Sequence, residues 1–349
     1  FADAYSSMSS SKAVVIKIHA DNGYVGIGEA CAWQTEFYGE SWETICLLMD
    51  KYVTPVLLGQ NPMHIGQVMA KVSAVIARLT CIKEGVDLAL HDLVGKTLGV
   101  SAQVLIGGSY RDKIAVASEI GIDTPEKMLT SALSLVEQGF KVIKIKGSAD
   151  VDLDVVRIKA VREAVGDSIA LRLDPNASWT TTATIKAMRE LECCNLEVLE
   201  QPIHGLDLKG MAHIRNNIGV PLMADEAIWT QEDVLKIVDY GAADLINIKI
   251  AKSCGLHIGH QIETIAAANR LPCIVGTELE PGISMIAKLH FAASMQTHPY
   301  ASDFTELSQL KDNVLQLDVQ IIDGYVSVPQ GPGFGVELNE DVLDKYRLA

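Results

Sequence analysis

The pattern of apolar and polar positions changes near residue 110. Before that point, AVVIKIHADNGYVGIGEA at 13–30 alternates around an Asp-Asn-Gly turn, which predicts an antiparallel hairpin. Residues 43–59 and 81–99 then repeat apolar positions at steps of three and four and end at glycine, which predicts helices. Residues 1–110 are therefore predicted to form a smaller α+β domain.

Beyond residue 110, short β-branched runs alternate with longer amphipathic stretches. The runs are KIAVASEIG, VIKIKG, SIALRLD, EVLEQ, VPLMAD, DLINIKI, PCIVGTE and PYASDF. The charged residues that close the central runs are 24 to 28 positions apart, which accommodates a strand, a loop and a helix. Eight such repeats predict an α/β fold, a TIM-like (β/α)8 barrel over 111–318. Residues 319–349 are predicted to return to the first domain and complete its sheet.

Composition and charge narrow the class of protein. With 349 residues, 48% of them hydrophobic, the chain can bury one large core and a smaller one. A net charge of −15 disfavours nucleic acid or an anionic membrane as a partner. No membrane-length apolar run and no signal peptide is present, and seven scattered cysteines indicate a reducing compartment. A cytoplasmic location is expected.

Charged residues close the strands in the middle of the predicted barrel. The carboxyl ends of barrel strands converge on one face, where enzymes of this architecture place their chemistry. Three acids on successive strands are flanked by lysines on the strands at either side. These strand-end residues are Lys144 and Lys146, Asp174, Glu200, Asp225 and Lys249.

Three converging carboxylates without histidine or cysteine favour Mg²⁺, with Mn²⁺ as a substitute. Lysines on both sides of such a site suit removal of a proton next to a substrate carboxylate, because the added negative charge is stabilised there. We expect Lys146 to act as the base and Lys249 as its partner on the opposite face. The like charge of Lys144 is expected to lower the pKa of Lys146, and Lys144 is expected to contact the substrate carboxylate.

The motifs K-x-K, D-x-N, E-Q-P, D-E and N-I-K-I-A-K, in this order, resemble the muconate-lactonizing-enzyme subgroup of the enolase superfamily. The resemblance extends to GYVGIGEA, DLALHDLVGKTLG and GPGFGVELNED, and so covers nearly the whole chain. It implies a modified (β/α)7β barrel with an N-terminal α+β capping domain whose first strand precedes the given sequence. It also implies a homo-oligomer, a dimer or an octamer. Asp174, Glu200 and Asp225 would be Mg²⁺ ligands, and Lys146 and Lys249 the acid/base pair.

Further residues are expected to contact the substrate, or to contact the side chains that bind it. Glu280 matches a position that is commonly acidic in the subgroup, and Asp303 aligns with an acid at the eighth strand. Because Thr305 stands where dipeptide epimerases carry a second Asp, the dipeptide substrate class is disfavoured. Lys252 is expected to belong to a loop. Two loops of the cap, residues 1–10 and 31–38, would close over the site, and Trp33 and Tyr38 lie in the second of them. The full set of expected contact residues is Asn176, Glu226, Glu278, Glu280, Asp303, Trp33 and Tyr38.

Three functions follow from the sequence. The first is an isomerase that cycloisomerises, racemises or epimerises a small carboxylate through an enediolate. The second is a hydro-lyase on the same residues, acting on a hydroxyproline-type or hydroxy acid substrate. The third is a non-catalytic barrel scaffold. This function is disfavoured because every expected strand-end position carries its charged residue, whereas a scaffold would be expected to have lost at least one of them. A diene diacid, an N-acylated amino acid, a dipeptide and a proline derivative all remain open as substrates.

Overall fold

The computed structural model describes residues 2–4, 10–32 and 35–348. Two strands pair antiparallel near the N-terminus, and eight parallel strands follow in a nearly closed barrel. At the seam of the barrel, the Val275 N–H donates a 2.9 Å hydrogen bond to the Ser302 hydroxyl. The predicted barrel and capping domain are thus confirmed. The strands are β1 Ala13–His19, β2 Val25–Cys31, β3 Lys113–Ile120, β4 Val142–Lys146, β5 Ala170–Asp174, β6 Val198–Glu200, β7 Leu222–Ala224, β8 Leu245–Ile248, β9 Cys273–Val275, β10 Ser302–Asp303 and β11 Tyr325–Ser327.

Helices surround the barrel and form most of the cap. Those of the cap region are α1 Thr35–Tyr38, α2 Trp42–Leu48, α3 Thr54–Leu57, α4 Ile65–Val75, α5 Thr80–Leu98 and α6 Ala102–Leu105, with a π-helical turn at Met49–Val53. Those of the remaining chain are α7 Pro125–Glu137, α8 Val151–Val165, α9 Thr181–Glu190, α10 Leu208–Arg215, α11 Gln231–Tyr240, α12 Leu256–Ala268, α13 Ile283–Ser294, α14 Glu306–Gln309 and α15 Glu340–Tyr346, with a 3₁₀ turn at Glu192–Cys194. Within the described ranges, no helix combines the length and apolarity needed to cross a bilayer.

The cap hairpin packs directly on the backbone of α5. A Cβ atom added at Gly28 would lie 2.0 Å from the Gly85 carbonyl oxygen, and one added at Gly26 would lie 2.1 Å from the Ala89 carbonyl oxygen. Real side chains never approach this closely, so the two glycines of the GIG motif allow strand and helix backbones to touch. This contact places the hairpin against α5, which in turn joins the barrel helices: Asp87 on α5 accepts a 2.7 Å hydrogen bond from the Leu256 N–H at the start of α12.

The C-terminal segment differs from the expectation. Instead of extending the β1–β2 sheet, β11 pairs antiparallel with barrel strand β3. The link to the cap runs through the following Gly/Pro turn, where the Gly333 N–H donates to the Val100 carbonyl at 2.9 Å and the Phe334 N–H donates to Asp92 at 2.9 Å. Alternation alone does not say which distant strand edge will accept a short strand.

Candidate active site

Lys144 and Lys146 both point into the barrel from β4. Their spacing of two places them on one face of the strand, and they are only 1% and 5% exposed. In the β4–β5 register Lys146 stands opposite Asp174, and its Nζ lies 2.7 Å from Asp174 Oδ2. The strand pairing therefore joins a predicted acid/base lysine to a predicted metal ligand.

Lys144 is surrounded by carboxylates. Its Nζ lies 2.7 Å from both Glu119 and Asp303, 3.1 Å from Glu200 and 3.4 Å from Asp174. Burial opposes its positive charge, but these acids, Asp303 foremost, outweigh burial and raise the pKa of Lys144 well above its usual value. Lys144 is thus a fixed positive charge that ties four strand ends together.

The pKa of Lys146 departs from the expectation. Burial lowers it, and the neighbouring charge of Lys144 lowers it too, as predicted. The carboxylates of Asp174 and Glu119 nevertheless outweigh these effects and raise the pKa above its usual value. The sequence anticipated the like-charge pair but not the number of acids around it.

Lys249 follows β8 and stands at the other end of the row of acids. Its Nζ lies 3.0 Å from Asp225 Oδ2 and 3.1 Å from Glu278 Oε1. Lys252 does not extend into solvent as a loop residue: it is 1% exposed and donates hydrogen bonds to the Asp225 carboxylate and carbonyl. The two lysines outweigh the effect of burial and lower the pKa of Asp225.

Polar neighbours orient the acids and complete the contacts between strands. The Asn176 backbone N–H donates to Asp174 Oδ1 at 2.9 Å, and its side-chain amide donates to Glu226 at 3.3 Å. The Asn247 amide donates to Glu200 Oε1 at 2.8 Å. Asp174 is therefore oriented by the loop that follows its own strand, and Glu200 by an amide on β8, two strands away in the barrel.

The three strand-end acids have the donor chemistry of a site for a hard cation. Burial raises the pKa of Glu200 well above its usual value, and Asp174 and Asp225 raise it further against the opposing charge of Lys144. Across residues 2–4, 10–32 and 35–348, no three acidic, histidine or cysteine side chains are grouped closely enough to hold a metal ion as they stand. Lysine ammonium groups lie against the acids instead. Since the acids repel one another and offer only oxygen, they fit Mg²⁺ or Mn²⁺.

Glu280 pairs with Lys288 rather than with either of the two predicted acid/base lysines. Its carboxylate accepts a 2.9 Å hydrogen bond from Lys288 and a 3.0 Å hydrogen bond from the Glu278 N–H. Lys288 also pairs with Glu306 at 2.6 Å. Glu280 therefore anchors the loop after β9, while Glu278, two positions earlier, contacts Lys249.

Asp303 is inside the barrel, as its position at the end of β10 implies. One carboxylate oxygen contacts Lys144 at 2.7 Å, and the other lies 3.6 Å from Arg172. Both oxygens therefore face cationic side chains of the protein itself.

Two aromatic residues of the cap, Phe37 and Tyr38, pack against Trp229 from the loop after β7. The ring of Tyr38 lies 4.9 Å from Phe37 and 5.8 Å from Trp229, measured between centroids. The Tyr38 hydroxyl interacts with the Glu278 carboxylate. Trp33, the other expected aromatic residue of this loop, lies outside the described residues. At the N-terminus, Ala2 accepts a 2.8 Å hydrogen bond from the Ile122 N–H beyond β3.

Sequence reasoning missed Glu119, which contacts Lys144 at 2.7 Å and Lys146 at 3.5 Å. The signal was present, because Glu119 is the charged residue near the end of the first barrel run, KIAVASEIG. Asn247 was missed for a different reason, since a single amide within the apolar run DLINIKI gives no indication of its partner.

Comparison with known families accounts for most of the chain. Residues 1–107 match the family described as mandelate racemase / muconate lactonizing enzyme, N-terminal domain. Residues 127–342 match the family described as enolase C-terminal domain-like. The two matches fall on the cap and on the barrel respectively.

Individual relatives are similar over most of their length. N-succinyl-L-Arg/Lys racemase of Bacillus cereus is 34% identical over 350 residues, covering 100% of this chain and 94% of the relative, and its crystal structure superposes with a TM-score of 0.95. Muconate cycloisomerase 1 of Rhodococcus opacus is 32% identical, covering 98% and 93%. A Cytophaga hutchinsonii dipeptide epimerase, solved with Mg and D-Ala-L-Val, has a TM-score of 0.90 at 29% identity, covering 95% of this chain and 89% of that one.

Proposed function

The chain belongs to the muconate-lactonizing-enzyme subgroup of the enolase superfamily, and we propose that it is a Mg²⁺-dependent isomerase. Its reaction would be removal of the proton next to a substrate carboxylate and return of a proton to the resulting enediolate. Relatives named as a racemase, epimerases and cycloisomerases support this reaction class. The substrate would be a small carboxylate.

The observation that supports the proposal best is the placement of two lysines at opposite ends of one row of acids. Lys146 contacts Asp174 at 2.7 Å, and Lys249 contacts Asp225 at 3.0 Å. Strand β6, which ends at Glu200, lies between β5 and β7. A carbon acid positioned over Glu200 would therefore have one amine on each side, as inversion of a stereocentre requires.

We assign Asp174, Glu200 and Asp225 as the residues that would hold Mg²⁺. When bound, the ion supplies positive charge that stabilises the negative charge developing on the substrate carboxylate. Lys144, held among four acids, would add a fixed positive charge beside it. Asn247 and Lys252 would keep the Glu200 and Asp225 carboxylates oriented.

Lys146 or Lys249 would take the α-proton, and the other would donate a proton to the opposite face. Both side chains are mostly buried, with side-chain exposures of 6% and 11%, so bulk water has little access to the proton during the transfer. The aromatic residues of the cap would cover the Lys249 side.

Exchange of the α-proton with solvent tests this function. The enzyme with Mg²⁺ would be incubated in deuterated water with N-succinyl amino acids, dipeptides and muconates, which are the substrates that the names of the relatives indicate. Mass spectrometry should show deuterium incorporation, with a fall of about 10²-fold or more in Lys146→Ala and Lys249→Ala. A keto or imino product would indicate the hydro-lyase instead. Unchanged exchange in both lysine variants would exclude the proposed chemistry.

A further inference from the structure

The two proposed acid/base lysines are held in place in different ways. Lys146 belongs to strand β4 and stands opposite Asp174 in the β4–β5 register. Lys249 comes directly after β8, which ends at Ile248. The backbone of Lys249 is therefore part of the turn that follows the strand, and its position depends on what holds that turn.

The turn of residues 249–255 is closed by its own backbone. The Lys249 carbonyl accepts a 3.0 Å hydrogen bond from the Lys252 N–H, and the Ile250 carbonyl accepts a 2.8 Å hydrogen bond from the Gly255 N–H. At the end of the turn, Cys254 and Gly255 have φ angles of 59° and 105°. Such angles are uncommon for a residue other than glycine and persist where the surroundings impose them. A group that holds the turn at Gly255 therefore also restrains Lys249.

Asp87 of α5 holds that end of the turn. Its Oδ2 accepts hydrogen bonds from the Leu256 N–H at 2.7 Å and from the His257 N–H at 3.4 Å, the first two N–H groups of α12. Gly255, the residue before α12, has no side chain that could cap the helix, and a Cβ atom added to it would lie 2.4 Å from Asp87 Oδ2. A carboxylate is a favourable acceptor at a helix N-terminus. A side chain of the cap domain thus caps a helix of the barrel.

Asp87 is itself held firmly. Its side chain is fully buried. One helical turn further along α5, His91 places its Nδ1 2.8 Å from the Asp87 carbonyl oxygen and 3.2 Å from Oδ2. The backbone contact between Gly28 and Gly85 packs the same helix against the cap hairpin. The cap domain therefore presents Asp87 to α12 from a rigid support.

We propose that Asp87 is a positioning residue for Lys249: by capping α12 it fixes the turn of residues 249–255, and with it the amine on one face of the substrate. The inference rests on the proposed function, since it takes Lys249 to exchange a proton with the substrate. Strand pairing holds Lys146 independently of this turn. Loss of Asp87 should therefore impair proton transfer on one face of the site and spare the other.

The test measures the two faces separately. The probes are N-succinyl-L-arginine with N-succinyl-D-arginine, and L-Ala-L-Glu with L-Ala-D-Glu. The full-length Mg²⁺-loaded enzyme would be placed in deuterated water, and NMR would follow the initial loss of the α-proton from each stereoisomer. Lys249→Ala identifies the stereoisomer whose proton Lys249 removes, because Lys146 still serves the other.

Asp87→Ala should slow exchange of the Lys249-dependent stereoisomer by about 10-fold or more and that of the other by less than about threefold, since small misplacements of a reacting group are costly. Asp87→Asn keeps an oxygen that can accept from the Leu256 N–H, so it should retain both rates. Should Asp87→Ala not fold, Asp87→Leu preserves the shape of the side chain without the acceptor and should show the same selective loss.

Hydrogen–deuterium exchange of the backbone, read by mass spectrometry, tests the capping without any substrate. Amides of residues 249–258 should exchange faster in Asp87→Ala than in the wild-type protein, and those of strand β4 should not. The matched control is Asp92→Ala, which removes a buried acid of the same helix that accepts 2.9 Å hydrogen bonds from the Ile27 and Phe334 N–H groups. It should lower stability without changing the ratio of the two stereoisomer rates.

Equal slowing of both stereoisomers in Asp87→Ala would overturn the inference, because it would mean that Asp87 only stabilises the fold. Unchanged amide exchange at residues 249–258, or an Asp87→Asn enzyme as impaired as Asp87→Ala, would overturn it too. If the wild-type enzyme exchanged neither pair of probes, that result would count against the proposed function. The amide exchange would still decide whether Asp87 holds the turn.

Discussion

The Lys146 ammonium lies 2.7 Å from Oδ2 of Asp174, directly opposite it in the register of β4 and β5. A lysine proposed to move a proton is therefore the ion-pair partner of an acid proposed to bind Mg²⁺. Asp174 is among the charges that raise the pKa of Lys146. Any cation that takes over the Asp174 carboxylate removes part of the interaction that keeps Lys146 protonated, so metal binding and base formation are electrostatically linked.

The first prediction concerns metal binding. A ligand that binds only the folded protein stabilises it, by about 2.7 kcal/mol at 100 times its dissociation constant. We expect the wild-type enzyme to melt at a higher temperature in Mg²⁺ than in EDTA, and Asp174→Asn to lose most of this difference. Differential scanning calorimetry in both buffers measures it.

The control is Glu306→Gln, which alters an equally buried acid that pairs with Lys288 rather than with the proposed ligands. This variant should melt earlier in both buffers but keep the Mg²⁺-dependent difference. Equal Mg²⁺ responses in wild type and Asp174→Asn would contradict the assignment of Asp174.

The second prediction concerns Lys252, whose ammonium is buried against Asp225. Removing one partner of a buried ion pair leaves an uncompensated charge and typically costs about 3–5 kcal/mol. Lys252→Met should therefore lower the free energy of unfolding by about 3 kcal/mol in EDTA, measured by urea denaturation. Lys186→Met, which breaks exposed ion pairs with Asp152 and Glu190, should leave stability unchanged. A Lys252→Met protein as stable as wild type would show that Lys249 alone compensates Asp225.

The contrast between Lys252 and Lys146 shows what the sequence could supply. Lys146, Asp174 and Glu200 lie within strands, where alternation of side chains and the direction of parallel strands fix both the face and the end of the barrel. Lys252 lies in a turn after β8, where no periodicity gives the direction of a side chain. Its burial was therefore not predictable from the local pattern.

Pairings between residues far apart in the chain were likewise not predictable from the sequence. The repeat spacing predicted eight barrel strands. The pairing of β11 with β3, however, joins residues more than 200 positions apart, and it depends on which strand edge remains accessible in the folded protein. The Glu280–Lys288–Glu306 cluster is likewise assembled from a loop, α13 and the start of α14. Each residue alone gives no sign of the other two.

The third prediction concerns the close contact between β2 and α5. Gly28→Ala would place a methyl group 2.0 Å from the Gly85 carbonyl oxygen, a backbone atom that cannot swing aside as the end of a side chain can. Overpacking of this kind costs about 1–3 kcal/mol or more, so the variant should unfold at lower urea concentration. Gly219→Ala is the control, since nothing lies within 4 Å of a Cβ atom added there. Equal midpoints for the two variants would mean that the cap hairpin shifts freely on α5.

The fourth prediction concerns the buried acids between cap and barrel. Glu29 on β2 accepts a 2.9 Å hydrogen bond from the Ile283 N–H at the start of α13. Burial, with the charge of Glu280, raises its pKa to about 8, against the opposing effects of this hydrogen bond and of Lys288. The charges of Glu280 and Glu306 act on it from the barrel side, and Glu84 lies in the same group of acids.

The sign of the pH dependence follows from the raised pKa. The folded protein holds a proton on Glu29 that the unfolded chain releases near pH 4.5, so this group favours the folded state at low pH. That contribution is lost as the pH rises towards about 8.

Glu29→Gln mimics the protonated carboxyl and keeps an acceptor for the Ile283 N–H. The stability of this variant relative to wild type should therefore increase steadily between pH 5 and pH 8.5. Urea unfolding in EDTA at several pH values measures this, with the exposed Glu190→Gln as the control that should show no trend. A constant difference between Glu29→Gln and wild type across this range would show that Glu29 is ionised in the folded protein throughout, with Lys288 as sufficient countercharge.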